Sequence, residues 1–183
     1  MIQPIHELAY ALFGLSFASV AAVFDVRSHR IPNLLTLPAV VFGLLLHLTL
    51  GGWGQLMSSA LAGLLCFVIF FLFYLAGGMG AGDVKLMAAM GCLVGLSTVG
   101  WLLIMTSLAG GVMAVGLALY RGRLSSTFGN VASLMVHHGH AGLMPHPELN
   151  LSNTETLRLP YALAIVAGSA LSLGLLIARG VRP

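Results

Sequence analysis

The sequence contains only two aspartates, Asp25 and Asp83, among the five acidic side chains of its 183 residues. Two carboxyl groups held close together share one proton, because both cannot ionise easily. Such a pair can activate a water molecule and polarise a carbonyl group for its attack, which is the acid–base chemistry of hydrolysis. The glutamates Glu7, Glu148 and Glu155 lie in predicted tails or loops, where a solvated carboxylate needs no special account.

The composition places these two aspartates in a membrane protein. Hydrophobic residues make up 58% of the chain and charged residues only 7%, whereas soluble domains carry about 25% charged residues. So few charges cannot cover a water-facing surface, so lipid is the solvent for most of the chain. Disorder and a secreted disulfide scaffold are disfavoured by the same numbers. Nucleic-acid binding is disfavoured too, because the net charge of +3 rests on eight Lys and Arg, too few for a phosphate-binding face.

Stretches free of Asp, Glu, Lys and Arg predict six transmembrane helices, because about 20 helical residues cross the hydrocarbon core of a bilayer. The predicted fold is therefore an all-α, polytopic membrane protein with one domain over 1–183. Its helices are expected at 8–24, 34–50, 57–76, 84–97, 101–120 and 159–178. The turn-rich residues 51–55 separate the second helix from the third, and a break near Gly95–Gly100 separates the fourth from the fifth.

Residues 121–158 are predicted to form a cytoplasmic or interfacial loop before the last helix, and an amphipathic helix lying on the membrane is one form that this region can take. The region contains four histidines, His137, His138, His140 and His146. These could bind a metal, but a polar loop is the favoured interpretation. Cys66 and Cys92 lie in apolar runs without metal-ligand spacing and are interpreted as small buried residues. The expectation is no metal and no cofactor.

Basic residues orient the chain, because cytoplasmic loops carry an excess of Lys and Arg. With the N-terminus outside, six of the eight lie on the cytoplasmic side, namely Arg27, Arg30, Lys85, Arg121, Arg123 and Arg158. Only Arg179 and Arg182 lie outside. Asp25 then ends the first helix and Asp83 opens the fourth at the same membrane edge.

Each aspartate could instead simply cap a helix end. Asp83 suits that role, because a carboxylate is favoured at a helix N-terminus, whereas Asp25 at a C-terminus does not. As a same-side pair in a chain with no other Asp, the two are interpreted as one shared site. The same helix-end argument predicts that Asp83 holds the charge and Asp25 the shared proton.

The segments D-V-R-S-H-R-I-P-N at 25–33 and G-A-G-D-V-K-L at 80–86 resemble those of the type IV prepilin peptidases, which are membrane aspartic proteases with a GxGD motif. The opening of the last helix, L-P-Y-A-L-A-I-V-A-G at 159–168, is similar to the family's last helix. The resemblance implies that Asp25 and Asp83 are catalytic. It also places in the active-site motifs Gly80, Gly82, Lys85, Arg27, Pro32 and Asn33.

The resemblance implies removal of a short basic leader peptide from prepilin or pilin-like precursors, at the cytoplasmic face of the inner (plasma) membrane. The implied partners are the precursor, membrane lipid and the pilus assembly machinery, with no nucleic acid. The sequence has no C-x-x-C pair, so it looks like the compact Tad/Flp-pilus type without the methyltransferase insert. Two alternatives stay open: a small proton- or cation-coupled transporter component using the same two Asp, and a non-catalytic pilus-assembly partner.

Overall fold

The computed structural model describes residues 3–28, 30–142, 144 and 161–180. All regular secondary structure in these residues is helical, so the all-α prediction is confirmed for them. The helices are α1 (Gln3–Ser28), α2 (Asn33–Leu75), α3 (Ala81–Val94), α4 (Leu96–Tyr120), α5 (Leu124–Ala141) and α6 (Tyr161–Gly180).

Helix α2 is a hairpin of two arms, which we call the first arm (33–51) and the second arm (53–75). Gly52 between them has φ 69° and ψ −164°, a conformation that glycine adopts without steric cost. Both arms contact the same residue of α3. A Cβ atom added to Gly43 would lie 2.8 Å from the Cys92 carbonyl oxygen, and one added to Gly63 would collide with the Cys92 Sγ atom. The predicted break at 51–55 therefore falls where the chain reverses.

Helix α3 lies at the centre of the packing, between the two arms of α2 and beside α1. Its fully buried side chains, Leu86, Met87 and Met90, join one core cluster with residues of α1, α2, α4 and α6. Ser59 of the second arm donates a hydrogen bond of 2.6 Å to the Cys92 carbonyl oxygen. Glycines on both arms let the backbones approach closely, so α3 is held firmly along its length.

Six membrane crossings are not confirmed. Among the described residues, four helices are long and apolar enough to cross a bilayer, His6–Ser28, Asn33–Leu75, Leu96–Tyr120 and Tyr161–Ala178. The first differs from α1 only in its starting residue, and Asn33–Leu75 is the whole α2 hairpin. Helix α3 has 14 residues and is about 21 Å long, shorter than the roughly 30 Å of hydrocarbon. The predicted crossing at 84–97 therefore falls on a helix too short to span.

Residues 121–158 do not form one continuous loop, because Leu124–Ala141 forms α5, in agreement with the helix that the prediction allowed in this region. The Ser and Thr side chains near its start hydrogen-bond to the Arg123 carbonyl oxygen, at 2.8 Å from Ser126 and 2.9 Å from Thr127. Residues 145–158 lie outside the described residues. Helix α4 begins at Leu96, earlier than expected, because the backbone break lies at Gly95, with φ 74° and ψ 172°.

Candidate active site

Asp25 lies in the last turn of α1 and is half-buried. Ala21, one helical turn earlier, is fully buried in the core, as is Ala18 before it. Residues spaced three or four apart share one face of a helix, so Asp25 continues the face of α1 that meets the other helices. This placement is unlike that of a carboxylate that caps a helix end in open solvent.

Asp83 lies in the first turn of α3 and is also half-buried. The Gly80 backbone N–H donates to Asp83 Oδ2 at 3.3 Å, and the Asp83 N–H donates to the Gly80 carbonyl oxygen at 3.1 Å. A Cβ atom on residue 80 would lie only 3.3 Å from that same Oδ2. Gly80 is thus the N-cap of α3 and leaves room for the Asp83 carboxyl group. Asp83 can therefore cap the helix and belong to the site at the same time.

The structure brings the two aspartates within electrostatic reach of each other. The pKa of Asp83 is raised to about 6, first by burial and then by the negative charge of Asp25, while the hydrogen bond from Gly80 lowers it. The helix N-terminus was expected to favour the charged form of Asp83, and the hydrogen bond from Gly80 acts in that direction, but burial and the charge of Asp25 outweigh it. Removal from water disfavours the charged form more than the backbone N–H group favours it.

The two motif segments meet beside the aspartates. Lys85 Nζ donates a hydrogen bond of 2.9 Å to Asn33 Oδ1. Ile31 lies against Gly82, where a Cβ atom would be 3.6 Å from the Ile31 Cβ. Pro32 is the N-cap of α2, and its carbonyl oxygen accepts from Leu35 N at 3.0 Å. The segment after Asp25 is therefore fixed to the helix that carries Asp83.

Arg27 lies apart from this cluster. Its side chain is exposed and lines an open groove of about 400 Å³ between α1 and α6. The other lining residues are Ser19, Ala22, Val23, Val26, Leu163 and Val166. Among the motif residues singled out from the sequence, Arg27 is the one that the structure does not join to the others.

Tyr161 was missed by sequence reasoning. It is the first residue of α6, half-buried, with its ring 6.0 Å from that of Phe70 between centroids. The charge of Asp83 acts on its hydroxyl group, so Tyr161 belongs to the site's surroundings. The signal that could have found it is a tyrosine directly after Pro160, at the predicted start of an otherwise apolar helix.

Within the described residues, no group of three or more His, Cys, Asp and Glu side chains is arranged to hold a metal ion. Three of the four clustered histidines have a ring nitrogen next to a backbone carbonyl oxygen, at 3.0 Å for His137 and 2.8 Å for both His138 and His140. His146 lies outside the described residues. Cys66 and Cys92 are free and buried, in agreement with their interpretation as small core residues.

The family model of the type IV leader peptidase family matches residues 12–115, more than half of the chain, and this match includes both aspartates. The chain belongs to this family. Its membership in a peptidase family and its several long apolar helices make it a multi-pass membrane protein of leader-peptidase type. The predicted resemblance is confirmed.

Similar proteins carry related names. A prepilin leader peptidase/N-methyltransferase of Aeromonas hydrophila is 35% identical over 115 residues, covering 58% of this chain and 39% of the relative. One of Burkholderia pseudomallei (strain K96243) is 37% identical over 128 residues, covering 63% and 40%. A preflagellin peptidase of Methanococcus voltae is 33% identical over 91 residues, covering 48% and 38%. The chain thus matches about two fifths of these relatives' length. No solved structure matches.

Proposed function

We propose that this protein is an intramembrane aspartic endopeptidase that removes the short basic leader from prepilin or pilin-like precursors. The observation that carries the proposal is the proximity of Asp25 and Asp83, which lie far apart in the sequence, yet the charge of Asp25 at the end of α1 acts on Asp83 at the start of α3. The names of the relatives, prepilin leader peptidases and a preflagellin peptidase, support the substrate class.

In the proposed reaction the half-buried Asp83 holds the shared proton and Asp25 is the base. Asp25 takes a proton from water while the water oxygen bonds to the peptide carbonyl carbon, and Asp83 gives its proton to the carbonyl oxygen. When the carbon–nitrogen bond breaks, the leaving nitrogen takes the proton from Asp25. A hydroxyl proton of the intermediate then returns to Asp83. One water is consumed, and both aspartates end as they began.

The glycines before Asp83 are proposed to admit the substrate backbone. Gly77 has φ 76°, and the residues from it to Gly80 form the turn between α2 and α3. An extended peptide can approach such a segment closely because no Cβ atoms stand in its way. The hydrogen bond between Lys85 and Asn33 is proposed to hold the two motif segments at a fixed separation.

The proposed location is the inner membrane, with the aspartates toward the cytoplasm. The excess of Lys and Arg on that side supports this orientation. The proposed partners are the precursor protein, membrane lipid and the pilus assembly machinery. A pilin-like precursor would keep its apolar helix in the bilayer and present the bond ahead of that helix to the two aspartates.

The test is cleavage of a prepilin by the full-length protein in lipid nanodiscs, comparing wild type with Asp25→Asn and Asp83→Asn. We expect cleavage to fall by about 10²–10⁴-fold in each, the usual contribution of a catalytic acid or base. Glu7→Gln is the matched control, an acid-to-amide change elsewhere on α1. Full cleavage by either Asn variant would overturn the assignment, and proton- or cation-dependent flux without cleavage would support the transporter alternative instead.

A further inference from the structure

Helix α5 has an apolar stripe that the described part of the chain leaves largely uncovered. None of the residues of α5 is buried. Four of its larger apolar side chains recur at the spacing of one helical face, and two of these, Phe128 and Met135, are 63% and 74% exposed. Leu124 and Val131 complete this stripe, because positions 124, 128, 131 and 135 are three or four residues apart.

The opposite face of α5 is small and polar. Ser126 and Ser133 lie on it, seven residues apart like Phe128 and Met135. A helix with one apolar face, one polar face and low overall hydrophobicity is the kind that lies in the plane of a membrane interface. A helix that crossed the bilayer would be apolar all round, as α4 is.

The path of α4 brings α5 to the membrane surface. Helix α4 runs antiparallel to α6: a Cβ atom on Gly168 would collide with Thr106, whereas Gly110 faces the ring of Tyr161. The charge of Asp83 acts on the Tyr161 hydroxyl group, so α4 emerges at the aspartate end of the bundle. The ten residues after Gly110, up to Tyr120, extend about 15 Å further, and exposed apolar side chains such as Leu119 continue to that point.

A defined turn then joins α4 to α5. Gly122 has φ 64°, and Arg123 N donates to the Ala118 carbonyl oxygen at 2.9 Å while Gly122 N donates to that of Leu119 at 3.0 Å. Only three residues separate the lipid-facing surface of α4 from Leu124. Two of these are Arg121 and Arg123, both exposed. Cations at this position complement anionic headgroups.

We propose that α5 lies on the bilayer surface at the aspartate end, with its stripe of Leu124, Phe128, Val131 and Met135 among the acyl chains and Arg121 and Arg123 on anionic lipid headgroups. The partner is thus the lipid leaflet itself. The continuity with the lipid-facing side of α4 and the charge of the joining turn both favour lipid over a protein partner. This inference does not depend on the proposed proteolytic function.

The test uses nitroxide labels on single introduced cysteines in the full chain, placed in nanodiscs with and without anionic phosphatidylglycerol. The labelled variants are Phe128→Cys and Met135→Cys on the stripe, with Ser126→Cys and Ser133→Cys as matched controls. The native Cys66 and Cys92 are buried, and a sample without introduced cysteine reports their background.

In anionic discs we expect the two stripe labels to collide with oxygen and to be shielded from a water-soluble nickel complex. The two control labels should show the reverse. Equal nickel access at all four sites would overturn the proposal, because α5 would then stand away from the bilayer. Shielding of all four from both reagents would also overturn it, because a protein would then cover the helix.

A separate variant tests the contribution of Arg121 and Arg123. The variant Arg121→Gln/Arg123→Gln should lose part of the stripe's shielding in anionic discs and change little in neutral ones, since each basic residue near an anionic surface contributes on the order of 1 kcal/mol. Equal shielding in neutral and anionic discs would contradict the assignment of anionic lipid. All four label sites are exposed, so the cysteines themselves should not impair folding.

Discussion

Neither α3 nor α5 is among the helices that are long and apolar enough to cross a bilayer, but their environments are opposite. Of the 14 residues of α3, nine are buried, whereas none of the 18 residues of α5 is. Helix α3 is held by backbone-to-backbone contact with the α2 hairpin, and it carries Asp83. Within the described residues, helix α5 is joined to α4 through one turn. The comparison teaches that a short helix can be the most constrained or the least constrained element of a membrane protein, depending on whether glycines let its neighbours close around it.

The largest expected difference between α3 and α5 is in their effect on catalysis. Asp83→Asn in α3 should lower the prepilin cleavage rate by about 10²–10⁴-fold, because the acid–base group is lost. His140→Asn in α5 should leave the rate within about twofold, as is usual for an exposed position. Both rates are measured in nanodiscs with equal amounts of folded protein. A comparable loss in the His140 variant would mean that α5 takes part in the reaction.

Glycine substitutions in the two helices should have opposite effects on the stability of the fold. A Cβ atom at Gly91 of α3 would lie 2.5 Å from the Ala62 carbonyl oxygen of the second arm, so Gly91→Ala should destabilise the fold by about 3 kcal/mol. Gly129 of α5 has no atom within 4 Å of such a Cβ. Gly129→Ala should instead stabilise α5 by about 0.5–1 kcal/mol, since alanine favours helix over glycine.

Thermal unfolding in detergent, followed by circular dichroism, measures both changes. Equal unfolding temperatures for the Gly91 and Gly129 variants would show that the close contact of α3 with the α2 hairpin contributes nothing to stability. The contrast between α3 and α5 would then be one of exposure alone.

The raised pKa of Asp83 in α3 should make the stability of the fold depend on pH. Its pKa rises from 3.8 to about 6 on folding, so between these values the folded state binds more protons than the unfolded one. Stability from the protonated group is therefore complete below about pH 4 and is lost as the pH rises through 6. The loss is on the order of 1–3 kcal/mol. A value near the lower end is expected, because the side chain is only half-buried and water screens its charge.

Unfolding temperatures across pH 4–7 measure this loss in wild type, and Asp83→Asn should flatten the profile. His140→Asn in α5 should leave the acid part of the profile unchanged. An identical pH slope in wild type and Asp83→Asn would show that another group is responsible.

The sequence-based prediction succeeded where one strong physical signal acts alone. Asp25 and Asp83 stood out because a lipid-soluble chain carries no other aspartate, and the structure places them within reach of each other. The breaks at Gly52 and Gly95 fell within the predicted turns, because glycine adopts the positive φ that interrupts a helix in an apolar run. In each case the local chemistry decides the local structure.

The prediction failed where packing decides. Charge-free runs give the length of chain available to lipid, but they do not show that α3 is closed in by two arms of a hairpin and stops after 14 residues. An amphipathic helix was allowed for between 121 and 158, but the His, Ser and Gly residues between the members of its stripe obscured where the helix begins and ends. Tyr161 carries no charge and lies in an apolar stretch, so only the folded structure brings it near Asp83.

A smaller effect is expected from the bond that links the motif segments. The hydrogen bond between Lys85 and Asn33 is exposed, so its loss in Asn33→Ala should cost about 0.5–1.5 kcal/mol. A double-mutant cycle with Lys85→Met, read by unfolding temperature and by cleavage rate, measures the coupling. Additive effects of the two substitutions would show that this bond does not fix the segments to each other.

The smallest expected effect lies on the α5 stripe. In detergent, Phe128→Ser should change the stability of the fold by no more than about 0.5 kcal/mol, because this side chain is 63% exposed and contacts little protein. Leu86→Ser in α3 replaces a fully buried side chain and should cost about 2–5 kcal/mol. A large loss for Phe128→Ser would mean that protein, rather than lipid or detergent, surrounds the stripe, and α5 would then have to be counted with α3 among the packed helices.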